Sequence, residues 1–313
     1  GKTLYFSSLI TNTSYSIPEG VEIIGPFAFA YLKSITSLTF PSTLTSIGEG
    51  AFMYSKATSL TFPSSLKSIG DGAFFSLYAT EVNFSEGLET IGESAFAMSD
   101  LTSAALPNSL ISVGTTAFAK CLSLTSITLG SGLQTIGDFA FSDNKITGVI
   151  TIPSTVTSIG TGAFSSTAST YGQTLTNIIV DKNNENYTSE NGLLMDKGKT
   201  KVIAYASNSS ISITIPSTVT TIEDYAMSAS KSNLVSLTLP SNLKYIGEAG
   251  LAMLPVGVLN IPSSVTYIGK YAFYNYKSSQ SINFNCTQDY ALTNFDQYFL
   301  SNCSATVTYT EAL

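Results

Sequence analysis

The sequence contains no histidine, no arginine and no tryptophan; all 14 of its basic residues are lysines. Without histidine, Ser-His-Asp and Cys-His nucleophile arrangements, HExxH zinc sites and the usual near-neutral acid–base group are excluded. Without arginine, there is no planar fork for bidentate binding of phosphate or carboxylate. Charge of either sign is scarce, at 11% of 313 residues, against roughly 25% in an average soluble domain. The balance is acidic, with a net charge of −7 and a pI near 4.6, which disfavours nucleic acid and anionic membranes as partners. Three cysteines allow at most one internal disulfide, and none sits in a CxxC or other metal-binding spacing. No apolar run approaches the roughly 18 residues of a membrane span. The first residues lack a basic-plus-apolar export segment, which fits a processed or trimmed chain.

Serine, threonine and asparagine supply most of the polar residues, and hydrophobic residues make up 43%, enough for a large core. These residues are arranged in a repeat. The phrase I-G-x-x-A-F begins at Ile24, Ile47, Ile69, Ile91, Val113, Ile136 and Ile159, with weaker copies at Ile222, Ile246 and Ile268. The steps are 22 to 24 residues, apart from one of 63. Apolar residues stand three, seven and nine positions before each anchor, as in Leu66, Phe62 and Leu60 before Ile69. Proline stands six before most anchors; Ser85 and Gly130 are the exceptions. One unit therefore reads L-x-L-P-x-x-L-x-x-I-G-x-x-A-F. A period near 22 lies within the roughly 20–29 residues of leucine-rich repeats.

Elementary chemistry assigns each part. The L-x-L segment alternates with period 2, which predicts a short strand with one face buried. Proline cannot donate to a ladder and stops the strand. The glycine after each anchor indicates a tight bend, with positive φ open to it. The small–large A-F pair predicts an apolar spine of Phe29, Phe52, Phe74, Phe96, Phe118, Phe141 and Phe164, continued by Met227, Leu251 and Phe273. One such unit cannot bury its own apolar face, but a stack can. The expected fold is one right-handed, β-rich repeat solenoid over residues 1–313, with a concave parallel sheet, short turns, helical pieces or minor strands on the other side, and about ten repeats of 22–23 residues.

Three segments depart from the repeat. Residues 1–14 read as a partial repeat or an N-terminal cap. Residues 181–205 read as a β-hairpin insertion, with strands at Gly192-Leu193-Leu194-Met195 and Lys201 to Tyr205; it is either a projecting recognition element or a structural staple. Residues 285–313 read as a C-terminal cap with a short helix or loop and a last strand at Ala305 to Tyr309. Cys286 and Cys303 flank that cap and are either bridged or free, while Cys121 reads as a small buried apolar residue.

The unit resembles the BspA-like, Treponema-type leucine-rich repeats of bacterial surface proteins. The I-G-x-x-A-F anchors and L-x-L-P-x-x-L segments carry the resemblance over residues 15–284, together with the insert Tyr187 to Leu194, Lys199-Thr200 and Ile203-Ala204-Tyr205. The resemblance implies a secreted or cell-surface adhesion protein that recognises host protein or glycan, and it brings no catalytic motif. The alternative is a structural spacer or self-association module at the cell surface. No cofactor or metal is expected.

Candidate binding residues lie ten and eight positions before the anchors, on the outward side of the strands: Ser37, Thr39, Ser59, Thr61, Glu81, Asn83, Ser126, Thr128, Thr151, Thr214, Thr238 and Asn260. This nearly uncharged hydroxyl ladder suits glycans or weak multipoint contact, or is simply a solvated sheet of good β-formers. A second row, two after the anchor, holds Glu49, Asp71, Glu93, Thr115, Asp138, Thr161, Asp224 and Glu248. It suits Ca2+ or a glycosidase pair, or caps for the start of a helical turn; the repeated spacing favours caps. Tyr245, Tyr267, Tyr271, Tyr274, Tyr276, Tyr290 and Tyr298 form either a binding edge or the end of the core.

Overall fold

The computed structural model describes residues 2–5, 12–166, 174–229 and 232–310. The chain divides into two compact units, the first comprising Gly1–Ile146 and Ile150–Ala163, the second Thr147–Val149 and Phe164–Leu313. Each is a parallel-strand repeat solenoid with almost no helix.

In the first unit each repeat is one coil, hydrogen-bonded to its neighbours on several sides. The L-x-L segments are three-residue strands with the central residue buried, such as Ser37–Thr39, Ser59–Thr61 and Glu81–Asn83. They pair in parallel and in register two by two, Ser14 with Ser37, then Ser59 with Glu81 and Thr61 with Asn83, rather than as one continuous sheet. The proline after the strand turns the chain by accepting a bond three residues on, from Leu44 N to Pro41 O (3.2 Å) and Leu66 N to Pro63 O (3.1 Å).

The longest sheet is built elsewhere. The anchor isoleucine and the residue before it form a two-residue strand in every coil. Eight of these, from Thr3–Leu4 and Ile23–Ile24 to Ser158–Ile159, make a parallel sheet of eight strands. Leu4 pairs with Ile24 and so takes an anchor position in the N-terminal segment.

The glycine after the anchor corrects the sequence-based expectation. Gly48, Gly70, Gly92, Gly114 and Gly137 are not among the residues of positive φ. They are required by close approach. A Cβ on Gly70 would lie 2.8 Å from Glu49 N, and one on Gly114 would lie 2.6 Å from Glu93 N, closer than real Cβ atoms come to backbone. The positive φ falls two residues later, at Phe27, Gly50, Gly72, Ser94, Thr116 and Phe139. Non-glycine residues there cost roughly 1–2 kcal/mol each. Inter-coil bonds offset that cost: Phe27 N donates to Glu49 O (2.8 Å), Phe29 N to Ala51 O (2.7 Å) and Tyr31 N to Met53 O (2.8 Å). The intervening amides close tight turns within the coil, as Ala30 N does on Phe27 O (3.1 Å).

This geometry places one phenylalanine per coil on the axis. Phe29, Phe52, Phe74, Phe96, Phe118 and Phe141 are buried and stack with centroids 5.0 to 5.6 Å apart and planes within 15°. Phe40 and Phe62, on the inward side of the outer strands, tilt against each other at 5.3 Å, and Phe62 packs on Phe74 at 5.4 Å. Buried Asn144 finishes one coil: its Oδ1 accepts from Cys121 N (2.8 Å) and its Nδ2 donates to Phe141 O (3.0 Å).

In the second unit the insertion has three strands, not two. Tyr187–Glu190, Leu193–Asp196 and Lys201–Tyr205 run antiparallel. Asn191-Gly192, both at positive φ, closes the first hairpin as a two-residue loop. Lys201–Tyr205 then pairs in parallel with Thr221–Ile222, so that Val202 meets the anchor Ile222. The insertion therefore extends the anchor sheet, which continues through Tyr245–Ile246 and Tyr267–Ile268 to six strands. Leu193, Met195 and Val202 are buried in the core of this unit with Met227, Leu251 and Phe273.

The C-terminal segment folds as the helix Gln288–Asn294, N-capped by Thr287 Oγ1, and the strand Thr306–Tyr309. Ala291, Phe295 and Phe299 are buried, with Phe295 and Phe299 packed on Phe284. All three cysteines are free thiols, so no bridge joins Cys286 to Cys303. Cys121 is fully buried, its Sγ donates to Phe96 O at 3.1 Å, and burial pushes its pKa up to about 12.

Candidate functional site

The outward positions of the outer strands are exposed. Ser37 and Thr39, Ser59 and Thr61, Glu81 and Asn83, and Ser126 and Thr128 flank buried central residues in the first unit, and Thr151 is exposed on its own strand. Thr214, Thr238 and Asn260 do so in the second. Neighbouring coils partly satisfy one another here, with Asn83 Nδ2 on Thr61 Oγ1 (3.4 Å), Asn283 Nδ2 on Asn260 Oδ1 (2.8 Å) and Thr308 Oγ1 on Asn283 Oδ1 (2.7 Å). In the second unit exposed apolar side chains join the row, Ile211 and Val235 beside it and Val258 within it. The strand side is thus a regular surface, polar apart from these apolar side chains.

The acidic row also differs from its expected role. The turns after the anchors are not helical. Asp71 Oδ1 accepts from Glu93 N (2.8 Å), Asp138 Oδ1 from Thr161 N (2.7 Å) and Asp224 Oδ1 from Glu248 N (2.8 Å). Each aspartate caps the equivalent amide of the following coil rather than its own turn. Among the described residues, no cluster of three His, Cys, Asp or Glu is placed to hold a metal ion.

The insertion is tied down locally. Asp196 Oδ1 accepts from Thr200 N and Lys201 N (both 2.7 Å), and its Oδ2 accepts from Thr200 Oγ1 (2.7 Å). Ion pairs join Lys199 to Glu190 (2.5 Å) and Lys201 to Glu223 (3.0 Å).

The turn side of the second unit carries a cleft. The third and sixth residues after the anchor come together there. In three successive coils they are Tyr225 and Ser228, Ala249 and Ala252, and Tyr271 and Tyr274. The two alanines leave a gap between tyrosine walls. Together with Met253 these residues line a cleft of about 360 Å3. Ala249, Ala252 and Met253 are buried as its floor, and the tyrosines pack against them. Tyr271 and Tyr274 meet edge to face at 5.9 Å.

Two charges stand beside the cleft. Tyr225 Oη donates to Glu248 Oε1 at 2.5 Å, and burial, with that carboxylate next, raises the Tyr225 pKa well above its ordinary value. Lys270 Nζ lies 4.6 Å from the Tyr271 ring centroid and 5.5 Å from that of Tyr298, a cation–π arrangement.

The tyrosines grouped by sequence therefore separate. Tyr276 is buried in the core, Tyr245 and Tyr267 stack on the anchor strands at 4.9 Å, Tyr290 meets Phe295, and Tyr271 and Tyr274 line the cleft. Sequence reasoning missed Tyr225. Its signal was lateral: it shares the third post-anchor position with Ala249 and Tyr271.

The BspA type leucine-rich repeat region matches the chain in six copies, over residues 2–108, 94–190 and 201–311. The chain belongs to the BspA-type leucine-rich repeat family. Solved structures with the same fold include a leucine-rich cell surface protein from Faecalibacterium prausnitzii, with a TM-score of 0.72, 24% identity and coverage of 96% of this chain and 89% of that one. A leucine-rich repeat protein from Eubacterium ventriosum is similar at a TM-score of 0.66 and 25% identity, over 96% of this chain and 74% of that one. The pneumococcal vaccine antigen PcpA is similar at a TM-score of 0.59 and 20% identity, over 99% and 92%. Comparison with the curated proteins finds no match. Among the described residues no helix is long and apolar enough to cross a membrane.

Proposed function

We propose that this protein is a non-enzymatic binding protein of the cell surface or extracellular space, recognising a surface protein or glycan of a host or neighbouring cell. The observation that carries this reading is the tyrosine-walled cleft on the turn side of the second unit, held by coils that are hydrogen-bonded to each other at nearly every turn. A stiff repeat surface positions such a site without ordering cost when a ligand arrives. Family membership supports surface recognition, and the F. prausnitzii relative is itself described as a cell surface protein. The absence of histidine and arginine from the sequence removes the commonest groups for acid–base and phosphoryl chemistry.

The folded protein, displayed against arrays of extracellular-matrix proteins and of glycans, is expected to give saturable binding to at least one. Intact protein that binds nothing on either array contradicts the proposal.

A second reading follows from the strand side of the first unit, where the outward row is flat and almost uncharged: a spacer or self-association module. Light scattering across a hundredfold concentration range separates the two, since self-association raises the apparent mass with concentration.

A further inference from the structure

We propose that the cleft between Tyr225 and Tyr271 binds a single pyranose ring of a neutral glycan. The inference rests on the surface-recognition reading above and names the ligand class of that site.

The cleft arises where a coil with small residues lies between coils that carry tyrosines at the same positions. The third post-anchor position varies along the chain, from Gly50, Gly72 and Ser94 to Phe27 and Phe139; the coil of Ile246 has Ala249 there, between Tyr225 and Tyr271. At the sixth position the same coil has Ala252 beside Tyr274. Ala249 has φ +48, while Tyr225 and Tyr271 both have φ +58, so the backbone of all three accepts a tyrosine. The missing side chain leaves the slot of about 360 Å3, at the small end of the roughly 300–1,000 Å3 of ligand sites. A slot of that size suits one ring rather than an extended chain.

Chemistry narrows the occupant. The walls are tyrosine rings and the floor is alanine and methionine, a surface for C–H faces. The hydroxyls of Tyr271 and Tyr274 make no hydrogen bond to the described residues. Glu248 uses one carboxylate oxygen for Tyr225 Oη, and an ionised carboxylate has further acceptor capacity. An apolar protein side chain would fill the slot but leave these polar groups without partners, which is costly when water is displaced. The two charges, Glu248 and Lys270, are opposite in sign and each is already engaged by a tyrosine. A cationic ligand would meet Lys270 and an anionic one Glu248. A neutral ring with an apolar face and hydroxyls on its edge satisfies walls, phenols and carboxylate together.

The test uses the whole chain and a panel of neutral monosaccharides and oligosaccharides built from hexose, 6-deoxyhexose and N-acetylhexosamine units, read by glycan array and saturation-transfer NMR. Wild type is expected to bind at least one, with transfer strongest to ring C–H protons. Ala249→Tyr, which fills the slot, is expected to lower affinity at least tenfold with an unchanged melting temperature. Tyr271→Phe, which keeps the ring and removes the hydroxyl, is expected to lower it severalfold; Tyr271→Ala serves if Ala249→Tyr fails to fold. Sugar binding untouched by these substitutions overturns the inference. Binding to matrix proteins and to no sugar also overturns it, whatever the substitutions do, and leaves the surface-recognition reading standing. Binding to neither sugars nor proteins removes both.

Discussion

At the residue scale, the anchor glycine sets how closely the coils stack. A Cβ at Gly114 would meet both Glu93 N and the carbonyl carbon of Gly92 at 2.6 Å, and neither can move without shifting a coil. Gly114→Ala should therefore destabilise by about 1–3 kcal/mol, as overpacking does. Gly198→Ala, whose Cβ would have only ordinary contacts at 3.5 Å, should be near neutral. Denaturant titration of the two variants checks the contrast. Cys121 supplies a pH signature. Its thiol holds its proton up to about 12 in the folded chain, against 9.0 when solvated, so the folded state is favoured while the proton stays on. Stability should be level below pH 9 and fall as pH rises from 9 towards 12, with Tyr225, also raised, adding to the loss above its ordinary value of 10. Cys121→Ala should flatten the first part of that fall in melts recorded across the range. The aspartate row predicts a null metal response: Asp71, Asp138 and Asp224 already accept an amide from the next coil, so millimolar Ca2+ should leave the melting temperature unchanged, whereas Asp71→Ala should cost about 1 kcal/mol.

At the element scale, the repeat made the outer strands legible, because L-x-L alternation and proline punctuation are visible in a single unit. The anchor strands were legible only as one of three choices, beside short turns and helical pieces, for the other side of the coil. Two residues show no period, and only stacking turns Ser46–Ile47 and Ser68–Ile69 into a sheet. The role of the anchor glycine was misread for the same reason: close approach and positive φ select the same residue, and only the neighbouring coil tells them apart. The insertion was found but undercounted, since the Asn191-Gly192 hairpin signal sits between short strands of mixed polarity. Buried amides that hold irregular turns were invisible. Gln280 Nε2 donates to Leu254 O (2.8 Å) and Val256 O (2.7 Å), while its Oε1 accepts from Lys277 N (2.6 Å). Gln280→Leu should leave these buried groups without partners and cost about 1–3 kcal/mol, measured by chemical denaturation.

At the scale of the whole molecule, repetition explains why the outward rows of the strands are alike from coil to coil. Identical coils give identical rows, so the hydroxyl ladder from Ser37 and Thr39 onward is what stacking alone produces, and it carries no local chemistry distinct from its neighbours. The cleft forms where the alanines of one coil lie between tyrosines of the flanking coils, a pattern visible only when the repeats are laid side by side. The phenylalanine column holds the first unit together in the same cumulative way. Phe74→Ala should remove two stacking partners at once, Phe52 and Phe96, and cost about 3–5 kcal/mol by thermal or denaturant unfolding. Hydrogen–deuterium exchange of the intact chain, with and without the sugar or protein that the arrays select, tests most directly which side of the coils meets a ligand. Slowed exchange confined to residues 225–228, 249–253 and 271–274 is the predicted result. Protection along the outer strands, at residues 37–39, 59–61 and 126–128, with the tyrosine cleft unchanged, would contradict it.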